Sequence, residues 1–240
     1  MHSTLHQRSD FNVLKGGQEV DLAELEEGIS TALYQAMLPL DGQDGSDKYS
    51  LMNIWLPKEY QQLHPNQALE SQLRIAPYES LPLGMNFAPA QTFVDLHIDQ
   101  NRHALSQSIG ASCHIWLLYP PTEQNLEVFT ELSGESGHLT KASGQLEEGY
   151  VAKIDASMVL YMPPAWIHGT FTTVSGGLVG VNFKSLDGLN EMAQSLAAHA
   201  PYMFQLKETF NDDLEVYQET IQDFLDDEYA TSVIKPVIES

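Results

Sequence analysis

Between residues 91 and 183 the chain breaks into short apolar and β-branched runs: QTFVDLHID, CHIWLLYPP, LEVFTEL, GYVAKIDA, SMVLYMPP, IHGTFTTV and GGLVGVNF. Turn-forming residues separate them. Side chains on a strand alternate between two faces, so runs of this length and punctuation read as short strands that must pair into a barrel or sandwich. The flanks have helical texture. Asp21 is placed to cap a helix through DLAELEEGISTALYQAML, with Leu22, Leu25, Ile29 and Leu33 on one stripe. DGQDGSD at 41–47 reads as a loop, and a second helical stretch covers 66–73. Asp187 can cap LNEMAQSLAAHA, and a final helix near 211–228 carries Leu214, Tyr217, Ile221 and Phe224 on one face. The expected architecture is mainly β with flanking α-helices. It has an N-terminal helical flank over 1–75, a β core over 76–185 and a C-terminal helical segment over 186–240, forming one catalytic unit.

One of these runs carries His97-Ile98-Asp99. Period two puts His97 and Asp99 on the same face of a strand. A third ligand from a neighbouring strand would complete two imidazoles and one carboxylate, the set that holds non-haem Fe(II) and leaves coordination positions open. His168, in YMPPAWIHGTF, is the candidate third ligand. The chain has nine histidines, so a single His-X-Asp match carries little weight by itself.

The ordered combination of HID, SIGASCHIWLLYPPT and DASMVLYMPPAWIHGTFTT resembles the JmjC family of the cupin superfamily, in particular the compact JmjC-domain proteins of fungi. The resemblance covers about residues 75–185. It implies a double-stranded β-helix, a jelly-roll barrel, with His97, Asp99 and His168 as catalytic iron ligands. It also implies an Fe(II)- and 2-oxoglutarate-dependent dioxygenase that oxidises a C–H bond by hydroxylation, desaturation or oxidative cyclisation. Phe93, Leu96, Trp116, Leu118, Leu160, Met162, Trp166 and Phe171 are candidates for apolar walls, although for any single one barrel core is the more ordinary role.

One position departs from the family. The lysine that usually holds the far carboxylate of 2-oxoglutarate falls at His114, six residues before Pro120. An imidazolium can pair with a carboxylate, but its charge varies near neutral pH. Three readings stay open: His114 holds the cosubstrate; another cation, such as Arg74, Arg102, Lys153 or Lys184, replaces it; or iron works without 2-oxoglutarate, or the domain is a non-catalytic scaffold. Tyr49, Ser106 and Asn182 are further candidates for cosubstrate binding, and Ser108 offers a hydroxyl on the strand leading to His114. His103 stands close enough to the HID run to line a pocket mouth.

Thirty-three acidic against eleven basic residues give a net charge of −22, which argues against nucleic acid or an anionic membrane as partner. No apolar run reaches the length of a membrane span, and the first residues lack the apolar core of a secretory signal. The single cysteine, Cys113, permits no intrachain disulfide and no CxxC zinc module. These features point to a reducing compartment, the cytoplasm, with the nucleus left open. They favour a small-molecule substrate, an amino acid or a natural-product intermediate of secondary metabolism. A protein hydroxylase or lysine demethylase is the alternative. The apolar stripe of the last helix needs a surface to cover it, either the barrel or a second copy in a homodimer through the C-terminal helices.

Overall fold

The computed structural model describes residues 12–15, 18–20, 48–56, 83–99, 102–133, 135–200 and 207–224. Among the described residues, eleven strands form two antiparallel sheets. The larger has seven strands. Its middle is β3 (Tyr49–Trp55), β4 (Gly84–Ala88), β11 (Gly176–Phe183), β6 (His103–Ile109) and β9 (Val159–Met162). It is extended at one edge by β1 (Asn12–Lys15) and β2 (Gln18–Glu19). The smaller runs β5 (Phe93–His97), β10 (Ile167–Val174), β7 (Cys113–Tyr119), β8 (Tyr150–Ile154). The chain crosses between sheets at β4–β5, β5–β6, β6–β7, β8–β9, β9–β10 and β10–β11. That alternation makes the architecture a jelly-roll double-stranded β-helix with flanking helices, the fold class expected.

Alternation along each strand sorts the core. On β11, Val179, Val181 and Phe183 join Val13, Leu51, Ile54, Met85 and Leu105 in a buried cluster on one face of the large sheet. The intervening Leu178, Gly180 and Asn182 face a cavity between the sheets. On β7, His114, Trp116 and Leu118 are buried, while Ile115, Leu117 and Tyr119 are only partly so. Trp116 and Leu118 meet Ile154 of the neighbouring β8 and Ala104, Met162 and Leu178 from the opposite sheet. The inner face thus mixes apolar groups with small and polar ones, and that mixture keeps the interior from closing completely.

Several expectations give way here. LEVFTEL is not a strand: Glu123–Glu131 forms helix α1, with Thr122 as N-cap accepting from the Asn125 backbone N–H. Leu126, Phe129 and Thr130, spaced i, i+3 and i+4, are buried together with Asn125. A short helix α2, His138–Ala142, follows. Within the expected helical flank over 1–75, the described residues are strands, because β1, β2 and β3 pair into the large sheet. The helices expected over 21–38 and 66–73 lie outside the described residues.

At the other end, α3 (Leu189–His199) takes Gly188 as N-cap, not Asp187. Helix α4 (Lys207–Phe224) packs on α3. Its buried face is Asp213, Val216 and Thr220, with Leu214, Tyr217 and Ile221 half-buried. Asp213 turns inward to meet the buried His199 imidazole at 3.5 Å, rotating the contact face by one residue from the expected stripe. The helix thus turns Asp213, Val216 and Thr220 inward, and the expected stripe of Leu214, Tyr217 and Ile221 stays half-buried. No helix among the described residues is long and apolar enough to cross a membrane.

Candidate metal centre

β5 and β10 are neighbours in the small sheet, and their register sets His97 opposite His168. Directly opposed residues on paired strands stand within side-chain reach, and here the two imidazole centroids are 4.1 Å apart. Asp99 lies two residues beyond His97. Its Oδ1 is 3.7 Å from His97 Nε2 and its Oδ2 is 3.8 Å from His168 Nε2. Candidate donor atoms of the three residues all lie within 4.8 Å of one another. The pairing of β5 with β10 depends on Gly169: a Cβ there would stand 3.1 Å from the Val94 carbonyl oxygen. A side chain at that point would push the strand bearing His97 away from the one bearing His168.

Both imidazoles are held alike. His97 Nδ1 lies 2.9 Å from the carbonyl oxygen of Asp95, and His168 Nδ1 lies 3.1 Å from that of Trp166. A carbonyl can only accept, so each Nδ1 carries the proton and each Nε2 keeps its lone pair toward Asp99. His168 is almost fully buried. Burial, and then the neighbouring His97, push its imidazole down to about 4, while Asp99 and the Trp166 carbonyl oppose the shift. It is therefore neutral at physiological pH, the form that binds metal. The donor set of two imidazole nitrogens and a carboxylate fits Fe(II).

Behind His97, Asp95 fixes the strand. Its carboxylate accepts the backbone N–H groups of Leu96 (2.9 Å), His138 (2.7 Å) and Leu139 (2.9 Å). Burial alone would raise its carboxyl. The Leu139, Leu96 and His138 backbone donors outweigh that and hold it below the usual carboxylate value. His138 Nδ1 lies 2.8 Å from the Leu96 carbonyl oxygen, so the start of α2 is fastened to the metal-bearing strand twice.

The triad opens into a cavity of about 270 Å³ between the sheets. Its polar lining comes from Asn12, Asn53, Asn86, Ser106, Thr170 and Asn182. Trp116 also lines it, stacked on His168 with centroids 5.7 Å apart. The Trp116 indole N–H is buried without a hydrogen-bond partner. A buried, unpaired donor in a cavity wall suits a ligand oxygen.

Of the expected cosubstrate residues, Ser106 and Asn182 reach this cavity and two do not. Tyr49 packs on the opposite face of the large sheet, with Lys15 Nζ 5.4 Å from its ring centroid. His114 stands two residues before Trp116 on the inner face of β7, but it is not in the cavity lining. It is buried, its Nδ1 lies 3.1 Å from Ser108 Oγ, and burial pushes its imidazole down to about 4. No lysine or arginine lines the cavity among the described residues. Lys184 meets Glu219 at 3.2 Å, Lys153 is exposed on β8, and Arg74 lies outside the described residues. His103 is core, bonded to the Tyr161 hydroxyl at 2.8 Å and stacked on Phe183. Among the proposed apolar walls, Trp116 lines the cavity, while Phe93 and Phe171 are exposed outside the sheet. Thr170 shares the inward face of β10 with His168, so period two pointed to it; nothing in the sequence marked Asn12, Asn53 or Asn86.

No family model matches the chain. Curated relatives do. The JmjC domain-containing histone demethylation protein 1 of Debaryomyces hansenii is 29% identical over 114 residues, covering 41% of this chain and 21% of that protein. The protein of the same name from Saccharomyces cerevisiae is 26% identical over 98 residues, 40% of this chain and 20% of its own length. The one from Kluyveromyces lactis is 22% identical over 149 residues, 62% of this chain and 31% of its own length. The matched part thus spans between about a fifth and a third of these relatives. All are named for histone demethylation, which is chemistry on a protein, and this overturns the expectation of a small-molecule partner. These relatives, together with the jelly-roll fold, support the resemblance of the chain to the JmjC-domain family.

Proposed function

We propose that this chain is a non-haem Fe(II)-dependent oxygenase of the JmjC type that oxidises a C–H bond on a protein, with the N-methyl group of lysine as the foremost target. The observation that carries this reading is the convergence of His97, Asp99 and His168, with both Nε2 lone pairs turned toward Asp99. These three residues would hold the iron. When bound, iron with O2 and a 2-oxo acid, 2-oxoglutarate in the family, supplies the oxidising power.

The chain's own residues do the rest. Asp95 and Trp166 keep the imidazoles in the metal-binding tautomer through their backbone carbonyls. Trp116 covers one side of His168 and offers an N–H to a ligand oxygen. The packed layer of Leu118, Ile154, Met162 and Leu178 limits water on the inner side. A groove of about 720 Å³ outside β5 and β10 shares Leu14, Val94, His97 and Thr170 with the metal cavity, which supports approach of a large substrate from that side. A histone substrate would place the chain in the nucleus and not in the cytoplasm.

The test is turnover on methylated histone peptides by iron-loaded protein with a 2-oxo acid, read by mass spectrometry and by formaldehyde release. The expected result is loss of methyl groups that His168→Ala abolishes. Iron-loaded protein that neither removes a methyl group nor adds oxygen to any histone peptide would overturn the reading.

A further inference from the structure

At the end of the small sheet remote from β5, the two sheets part. β8 ends the small sheet and β9 ends the large one, so among the described residues each pairs on one side only. Between them lies an apolar pocket of about 380 Å³. Its lining joins the buried Leu118 and Met162 to three aromatic residues, Tyr150, Trp166 and Tyr161. It shares no lining residue with the metal cavity. Trp166 lines this pocket while its carbonyl faces His168 Nδ1.

Strained backbone leads into both ring-bearing segments. Ala165, just before Trp166, has φ +62°, and Glu148, two residues before Tyr150, has φ +53°. A residue with a Cβ is held in this left-handed region at a cost, and such strain gathers where ligands are clamped. The Tyr150 and Trp166 rings meet at 38° with centroids 6.1 Å apart. Tyr150 is 58% exposed and Val151 beside it 74%, which leaves apolar surface in water at an unpaired strand edge.

An aromatic face attracts a cation, and the charges around the pocket have the matching sign. Glu147 and Glu148 precede Tyr150 and are exposed. At the other rim, burial and then the charges of Asp187 and Glu191 push the Tyr161 hydroxyl up, so two carboxylates stand near that residue. Lys153, the cation of β8, falls on the opposite face of the strand from Tyr150. A primary ammonium brings three N–H donors that need acceptors. The lining is mainly apolar, and the Tyr161 hydroxyl is already bonded to His103. A trimethylated ammonium has no N–H to satisfy and presents its charge through methyl groups. The open edge of β8 gives an extended peptide a place to lie beside the pocket.

We propose that the pocket between Tyr150 and Trp166 binds the trimethylated lysine side chain of a basic peptide, holding it without reaction and apart from the metal centre. This site does not depend on the oxygenase reading.

The test is a calorimetric titration of the iron-loaded full chain, kept anaerobic and free of keto acid. The probes are a short arginine-rich synthetic peptide with one trimethyl-lysine, the same peptide with unmodified lysine, the same peptide with the uncharged tert-butyl carbon isostere, and tetramethylammonium alone. The trimethyl-lysine peptide is expected to bind about tenfold tighter than the other probes, the order of one desolvated cation–π contact. Tyr150→Ala, at an exposed position, should remove the preference and leave Fe(II) affinity unchanged, while Tyr150→Phe, which keeps the ring, should retain it. Equal binding of the trimethyl-lysine peptide and its carbon isostere overturns the inference. So does undiminished binding by folded Tyr150→Ala, which would place the peptide elsewhere, or tetramethylammonium binding as tightly as the peptide, which would assign the pocket to a free amine. Absence of binding by every probe overturns it as well.

Discussion

At the His97–His168 end of the small sheet, two imidazoles turn their lone pairs on one carboxylate, and backbone carbonyls fix both tautomers. Four residues along β10 from His168, Thr172 faces His114 of β7, and both are buried. There the imidazole is tied to a serine and carries no charge. The same fold thus holds histidines in two ways. One pair is left with converging lone pairs that only an added cation can satisfy. The other histidine has its Nδ1 tied to Ser108 Oγ.

The largest expected effect on this contrast comes from Asp95, which touches no metal. Asp95→Asn removes a charge that three backbone N–H groups converge on and sets an NH2 among them. Loss of a partner that orients a ligand typically weakens metal binding by about 10- to 100-fold, and Fe(II) titration should show a drop in that range. Unchanged iron affinity would mean that β5 holds His97 without this clamp. Next is Gly180, in the cavity wall. A Cβ there would stand 3.3 Å from the Leu105 carbonyl oxygen and 3.4 Å from Ser106 Oγ. Gly180→Val should weaken 2-oxo acid binding by about tenfold through occupied space, at a stability cost of about 1–3 kcal/mol, with iron affinity retained. If iron and keto acid are lost together, the two ends are coupled.

Acidity probes the other side of the contrast. Burial holds both His103 and His114 at about 4, below their unfolded value. A histidine lowered in this way leaves stability intact above about 6.5 and withdraws it as pH falls toward 4, because the unfolded chain takes up the proton first. For each of the two the slope approaches about 1.4 kcal/mol per pH unit. Urea unfolding of metal-free protein at pH 7, 6 and 5 should follow this trend, and His114→Gln should remove part of it. Stability that is flat or rising on acidification would mean that these rings are not held neutral. The smallest effect lies outside both ends. Thr122→Ala removes the α1 cap and should cost about 1 kcal/mol without altering either ligand's affinity.

Period two carried the reading of the sequence furthest. It marked the runs around CHIWLLYPP, IHGTFTTV and GGLVGVNF as strands, since a half-buried strand shows its alternation in sequence; β5 itself ends at His97, and Asp99 lies two residues beyond it. LEVFTEL shows the limit. Its β-branched and aromatic residues suit a strand, but Pro120-Pro121 followed by the Thr122 cap starts a helix, and Leu126 and Phe129 bury well at helical spacing. The cavity lining was less legible, because Asn12, Asn53 and Asn86 come from strands outside the motif region and are joined by sheet register alone. Tyr49 failed for a related reason: distance along the chain does not say which face of a sheet a side chain takes.

The account rests on three ligands acting as one metal site, and counting bound iron tests that most directly. Full-length protein equilibrated anaerobically with Fe(II) should retain one ion per chain, and His97→Ala, Asp99→Ala and His168→Ala, each checked to be folded, should each lose it. Folded triad variants that keep full iron would contradict the account.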